Sequence, residues 1–566
     1  MKTLLKYILI LCFLSGIASC EDFLREDNRS NIDSDSYFAE ATAYESLVSA
    51  SYSTLRSVWR ADPWLFCLGV DIYTRGESEL RSGSYENRDV YSRQLNEYND
   101  LNSTNSFVSD FYAAVYKAIQ TCNTAIARAE KVTGLTDARK EQLVAEVKFL
   151  RAYYYYLLAE QFGGVPLVLD EINTAITHFE RDTEEDVFRF IISELEATVG
   201  ILPETPEQFG RVTKGAVKNL LSLVYLTRGY KSYAGSSDFS LAASYADEVI
   251  NSGQYSLLSS FEEVFAPGNE ENKEIIFSIQ YDAGSLSSYT SGNGQNVHFG
   301  WELWTKVLGG FERGNTTYNW KKSQFTPTQF LYSLFDTEAD SRYDVTFLST
   351  FYATADDVST GVRKGDLRTY FPKYDQPFTV QDSLDFMAQH PNAIIITKSR
   401  WIQDIEGLGG TGMVPMVWKF YDPDAPFPDN NTGYTSTRDI FLFRLAETYL
   451  IAAEAYHKLN NNDKAVERIN SVRQRAAIPG NEAAMTIPAS DVTLDFILDE
   501  RARELTGEYK RWMDLKRTGK LIERTLLYNN LAQRTNRMEP HHLLRPIPQT
   551  VRDQDSGDFP QNPGYN

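Results

Sequence analysis

Residues 146–168 read EVKFLRAYYYYLLAEQFGGVPLV, and the fold turns on how that run is interpreted. Leu143, Val147, Leu150, Tyr154, Leu157 and Phe162 recur at steps of about three and four, which places them on one stripe of a helix. Gly163 and Gly164 offer left-handed backbone to end it, and Pro166 stops it resuming. Four consecutive tyrosines, Tyr153, Tyr154, Tyr155 and Tyr156, surround the helix on all sides. A lone surface helix has no use for them, so neighbours are expected to pack on several of its faces.

Working outward, the same period recurs. Tyr37, Ala41, Tyr44, Val48 and Tyr52 predict a helix over 36–59, and further helices are predicted over 107–131, 137–161, 182–199, 214–230 and 241–251. Short connections make antiparallel pairs of them. Residues 449–477 add another pair in which Tyr456, Ala465 and Ile469 stand nine and thirteen residues apart, the spacing of a tetratricopeptide repeat. Small Ala465 lets two helices approach while Tyr456 and Ile469 fill the gap, and residues 216–258 echo this loosely. The expected fold is mainly α, a tetratricopeptide-like array of helix pairs.

Two stretches break the pattern. Residues 60–106 lose periodicity yet carry Trp64, Asp71, Tyr73, Arg75, Arg81, Tyr85, Asn87 and Tyr91, too many rings for disorder. Residues 260–437 form a loop-rich insert with short β-like runs at 274–281, 393–401 and 414–421, and hold His298, Trp301, Trp304, Tyr318 and Trp320.

Composition narrows the function. A net charge of −21 repels phosphate backbones and anionic headgroups, which argues against a nucleic-acid partner. Aromatic residues make up 13% of the chain, so some rings are expected at the surface. Cys67 and Cys122 either pair or sit as small buried apolar residues. The first nineteen residues read as a secretory leader, with Lys2 and Lys6 before an apolar run. Ile17-Ala18-Ser19-Cys20 resembles a bacterial lipobox, in which Cys20 is acylated and anchors the mature protein by lipid alone. Residues 21–35 are then a polar, flexible tether, and Glu21-Asp22 resembles an export signal of surface lipoproteins.

Several motifs together resemble the SusD/RagB family of surface lipoproteins. They are Phe149-Leu150-Arg151-Ala152 with the tyrosine run, Phe162-Gly163-Gly164-Val165-Pro166-Leu167, residues 497–505 (ILDERAREL), residues 508–517 (EYKRWMDLKR), residues 544–548 (LRPIP) and residues 561–565 (QNPGY). Tyr509 departs from the family, which commonly has Gly there, and puts the local loop geometry in question. Periodicity and its loss divide a single expected domain over 36–566 into the helical array at 36–259 and 438–520, the insert at 260–437 and an extended segment at 521–566. The resemblance implies a non-catalytic protein on the outer face of the outer membrane. Such a protein captures oligosaccharide or polysaccharide and delivers it to a SusC-like TonB-dependent transporter.

Glu500 and Glu504 lie one helical turn apart among arginines, which suits a structural ion-pair network better than a glycosidase pair facing each other across a bond. Residues 407–412 (GLGGTG) precede Pro415 and cannot open the helix that a dinucleotide site needs. The adjacent His541 and His542 lack metal-ligand spacing. Asp422, Asp424, Asp429 and Asn430 read as a solvated loop in preference to a structural calcium site, so no cofactor or metal is expected. Sugars need flat rings for their C–H faces and a few directional groups for their hydroxyls. Trp64, Asp71, Tyr73, Arg75, Arg81, Tyr85 and Asn87, with Trp301, Trp304 and Trp320, supply that mixture and are the candidate glycan contacts. A glycoside hydrolase and a peptide receptor or transporter lid are the rival readings.

Overall fold

The structure, a computed structural model, describes residues 34–59, 63–76, 88–282, 292–301, 308–319, 321, 324–401, 413–426 and 436–565. The helices that matter here are α1 (Ala41–Trp59), α2 (Ser106–Arg128), α3 (Asp137–Phe162), α4 (Glu184–Val199), α5 (Lys214–Arg228), α6 (Asp238–Ile250), α7 (Val380–Gln389), α8 (Leu445–Lys458), α9 (Asn462–Arg475), α10 (Leu494–Glu504), α11 (Arg511–Arg517) and α12 (Leu521–Tyr528). The starts of α2, α3, α4, α5 and α9 follow from single side chains. Asn105, Thr136, Thr183, Thr213 and Asn461 each accept a backbone N–H from the first turn, satisfying donors that a helix end leaves open.

Every residue of α3 from Phe149 to Phe162 is buried. Four successive tyrosines advance by about 100° each and therefore reach four different neighbours. Tyr153 meets the ring of Phe443 edge-on at 5.7 Å, and the Tyr154 hydroxyl lies 2.6 Å from Thr54 on α1. Tyr155 donates to the Val168 carbonyl at 2.9 Å, and Tyr156 lies 3.1 Å from Thr227 on α5. Gly163 takes φ +74°, as expected of a residue ending a helix. Gly164 is needed for a different reason, since a Cβ there would stand 2.3 Å from the Asp182 carbonyl oxygen.

Each array helix packs on the next, from α1 through α6, and α6 then packs directly on α8, which pairs with α9. The insert thus leaves and rejoins without opening the array. Strands β2 (Ile275–Ile279) and β9 (Ile440–Arg444) stand where it leaves and where it returns, and pair antiparallel from Ile275↔Arg444 to Ile279↔Ile440. β9 falls within 438–520, where the helical array is expected, and is a strand there because it pairs with β2 at the neck of the insert. Within the insert, β4 (Phe347–Leu348) pairs with β8 (Met416–Val417), and β5 (Thr350–Tyr352), β6 (Leu367–Tyr370) and β7 (Ile394–Ile395) form a three-stranded sheet.

Residues 60–106 are not a surface excursion where they are described. β1 (Tyr73–Arg75) pairs antiparallel with β3 (Phe325–Pro327), joining this stretch to the insert, and residues 63–76 are buried throughout. Beyond residue 520 the chain is helical at α12 and at Asn530–Thr535, where an extended segment was expected. Cys67 and Cys122 are separate buried thiols, both pushed up by burial. Among the described residues no helix is long and apolar enough to cross a membrane.

Candidate functional site

The carboxylates on α10 belong to a buried ion network. Glu500 accepts from Arg342, Arg473 and Arg503, and Glu504 from Arg342, Arg444 and Arg475, all at 2.6–2.9 Å. Burial alone would raise Glu504, but Arg475, Arg444 and Arg342 outweigh it and hold its carboxyl at about 2. A general acid needs the opposite shift. Arg501, expected to need partners, contacts Asp514 at 2.7 Å and Glu447 at 3.2 Å. Asp439, in the insert's neck, does have a carboxyl pushed up to about 6 by burial. Its oxygens accept from Ser278, Gln280 and the Tyr281 N–H, a structural clasp for β2.

Five of the candidate glycan contacts are in the core or its ion pairs. Trp64 stacks on Phe107 at 4.5 Å and is 3% exposed. Asp71 accepts from Arg511 and Arg524 at 2.6–2.9 Å, and the Tyr73 hydroxyl accepts the Gly507 N–H at 2.6 Å. Arg75 pairs with Glu97, and the Trp301 indole donates to the Val414 carbonyl at 2.9 Å. A ring grips sugar only through an open face, and a side chain in a buried ion pair is out of reach of a ligand hydroxyl. Trp64 and Tyr73 do come together, through Phe299 and Phe325, but as the core between 63–76 and the insert. Arg81, Tyr85, Asn87, Trp304 and Trp320 lie outside the described residues, as do Cys20, Asp429, Asn430 and the run 407–412.

A different set of rings meets the requirement. Trp418 and Tyr421 stack at 4.2 Å with 16° between planes, both half-buried, and Tyr318 lies 6.2 Å from Trp418. Tyr352 is 50% exposed. Its backbone is fixed by the Tyr318 hydroxyl, which receives the Tyr352 N–H at 2.7 Å and donates to the Tyr352 carbonyl at 3.1 Å. Trp418 is seated by β8 next to it and by its N–H on the Thr346 carbonyl. The Tyr421 carbonyl is held from the neck by Arg438 at 2.7 Å. The rings are therefore displayed on backbone that the scaffold has already ordered.

Polar groups sit at the same place. Asn319, in left-handed backbone at φ +52°, donates to the Asp422 carbonyl and accepts the Asp422 N–H. One Asp422 carboxylate oxygen caps Asp424 N–H, and the other is buried without a hydrogen-bond partner. Lys321 lies with its ammonium 5.7 Å from the Trp418 ring centre and donates to the Asn296 carbonyl. Burial pushes that ammonium down to about 7. Asn319 and Lys321 flank Trp320 in sequence, so both sequence neighbours of that candidate are buried anchors beside the patch. Of the β-like run expected over 414–421 only Met416–Val417 is a strand, and Trp418 and Tyr421 stand in the turn after it, a placement the run's composition does not reveal. Asp422-Pro423-Asp424, which directly follows Tyr421, is the signal that the run ends there.

A sequence profile of the SusD family matches residues 273–565, and one described as "Starch-binding associating with outer membrane" matches residues 22–226. SusD-like protein P25 of Formosa agariphila is 26% identical over 560 residues, covering 96% of this chain and 94% of that protein. The starch-binding protein SusD of Bacteroides thetaiotaomicron is 28% identical over 449 residues, covering 77% of this chain and 75% of its own length. Among solved structures, a laminarin-binding SusD-like protein superposes with a TM-score of 0.69 at 22% identity, over 93% of this chain and all of that one. Surface glycan-binding protein A of Bacteroides thetaiotaomicron, in complex with laminarihexaose, gives 0.66 at 22% identity over 92% and 99%.

Proposed function

This chain belongs to the SusD family, and from that premise we propose that it is a non-catalytic receptor that captures oligosaccharide on the Trp418–Tyr421 patch. It hands that ligand to a SusC-like TonB-dependent transporter. Acylation at Cys20 anchors it to the outer membrane, facing the medium, where lipid and tether keep captured glycan concentrated over the pore. The observation that carries the reading is a stacked, half-exposed ring pair on preordered backbone, linked through Tyr318 to the exposed Tyr352. Flat rings take the apolar face of a pyranose while polar groups select its hydroxyls. Trp304, Trp320, Arg81, Tyr85 and Asn87, which lie outside the described residues, remain candidate glycan contacts by their chemistry alone. A contact area of a few rings holds a sugar weakly enough to release it. The names of the relatives support glucans as the first ligands to try.

The test is calorimetry against laminarin and starch oligosaccharides. Replacing Trp418 and Tyr421 together by Ala is expected to weaken binding at least tenfold, about 1.4 kcal/mol, with the thermal midpoint checked in parallel. Unchanged affinity in a folded double variant removes the site. Reducing sugar released by the purified wild type overturns the non-catalytic reading.

A further inference from the structure

Helix α7 buries none of its ten residues, although it is firmly started by a capping box between Thr379 and Asp382. It rests on the insert through Phe386, whose ring stacks on Tyr370 of β6 at 4.4 Å. Val380, Leu384 and Met387 follow at steps of four and three, so they share one face. That face is turned to solvent, at 79%, 52% and 42% exposure. Twelve large apolar side chains are exposed among the described residues, and three of them fall on this single short helix. Scattered apolar residues on a surface need no explanation, whereas a stripe at helical spacing does.

We infer that the Val380–Leu384–Met387 stripe of α7 is a docking face for another protein, one presenting an apolar groove with basic or neutral margins. Electrostatics select that occupant. α7 carries Asp382 and Asp385 with no Lys or Arg, on a chain of net charge −21. A second copy would bring the same sign, and an anionic bilayer would be repelled likewise. Sugar is excluded by shape, because branched and thioether side chains offer no flat face. An apolar helix stripe seated in a groove is a recurrent mode of protein recognition. The face is separate from the Trp418–Tyr421 patch in residues and in chemistry, so docking and glycan capture are independent.

The experiment places a photocrosslinking amino acid at Leu384 of the full chain in the cell that produces it, with exposed Leu527 as control. The expected result is a crosslink at 384 to one protein, absent at 527. Its attachment peptide should contain apolar residues and Lys or Arg, and the adduct should be lost with Val380→Ser plus Met387→Ser and weakened by Asp385→Lys. Crosslinks to a second copy or to lipid, an adduct indifferent to those substitutions, or none at all overturn the inference. Laminarin affinity of the Val380→Ser, Met387→Ser variant is read alongside. It stays at the wild-type value, which separates failure here from failure of the glycan reading.

Discussion

Tyr509 occupies left-handed backbone at φ +61°, where a residue with a Cβ is strained, and a glycine is the usual solution. Its ring, however, is 4% exposed and stacks on Trp59 at 5.8 Å with 11° between planes. The two effects can be weighed. Relief of the strain is worth about 1–3 kcal/mol, and loss of a buried aromatic costs about 3–5 kcal/mol. Tyr509→Gly is therefore expected to destabilise by roughly 2 kcal/mol, seen as a lower denaturant midpoint with an unchanged slope. The departure at this position is a repacked loop, legible in sequence as an oddity but not as a stacking partner for Trp59, which lies 450 residues earlier. The same limit governed the candidate contacts. Trp64, Trp301 and Trp418 are chemically identical, and only the neighbours brought in by the fold decide that two are core and one is at the surface.

At the scale of the element, stability and order come apart in α7. Thr379 Oγ1 accepts the Asp382 N–H at 3.1 Å, and Asp382 returns the bond to the Thr379 N–H at 2.7 Å. Thr379→Ala removes a cap worth about 1 kcal/mol. Because the helix buries nothing, that loss stays local. Faster amide exchange confined to residues 380–389, with an unchanged global melting temperature, is the expected outcome. Global destabilisation would mean that α7 contributes to the core packing. α1–α6, α8 and α9 were legible because their apolar stripes repeat over three or more turns. α7 was not, since its ten residues give fewer than three turns of pattern inside a loop-rich insert, and strands β4, β5, β7 and β8 have only two or three residues each, too few to show a period.

At the scale of the whole molecule, the buried ion network joins distant parts of the chain. Arg342 from the insert, Arg444 from its neck, Arg475 from α9 and Glu504 from α10 meet below the surface. Glu504→Gln leaves three guanidinium groups short of charge and is expected to cost about 3–5 kcal/mol. Its pH dependence has a defined sign. The native carboxyl sits at about 2 against an ordinary 4.5, so its stabilisation is present above pH 4.5 and is lost as pH falls from there towards 2. Acid unfolding of the wild type should steepen in that window, and the Gln variant should lack that part of the slope. The paired α10–α11 motif announced a network in sequence, whereas Arg342 could not be assigned to it before the fold closed. The direct seating of α6 on α8, with β2 and β9 laced together beside it, has one more consequence. Loops between one lace and the other could change in length and composition while the helices kept their register, provided Arg342 still reaches Glu500 and Glu504 and β3 still pairs with β1. If the proposed Trp418–Tyr421 patch sets ligand choice, a chimera that swaps these loops between two relatives should inherit the taste of the donor and the footing of the host.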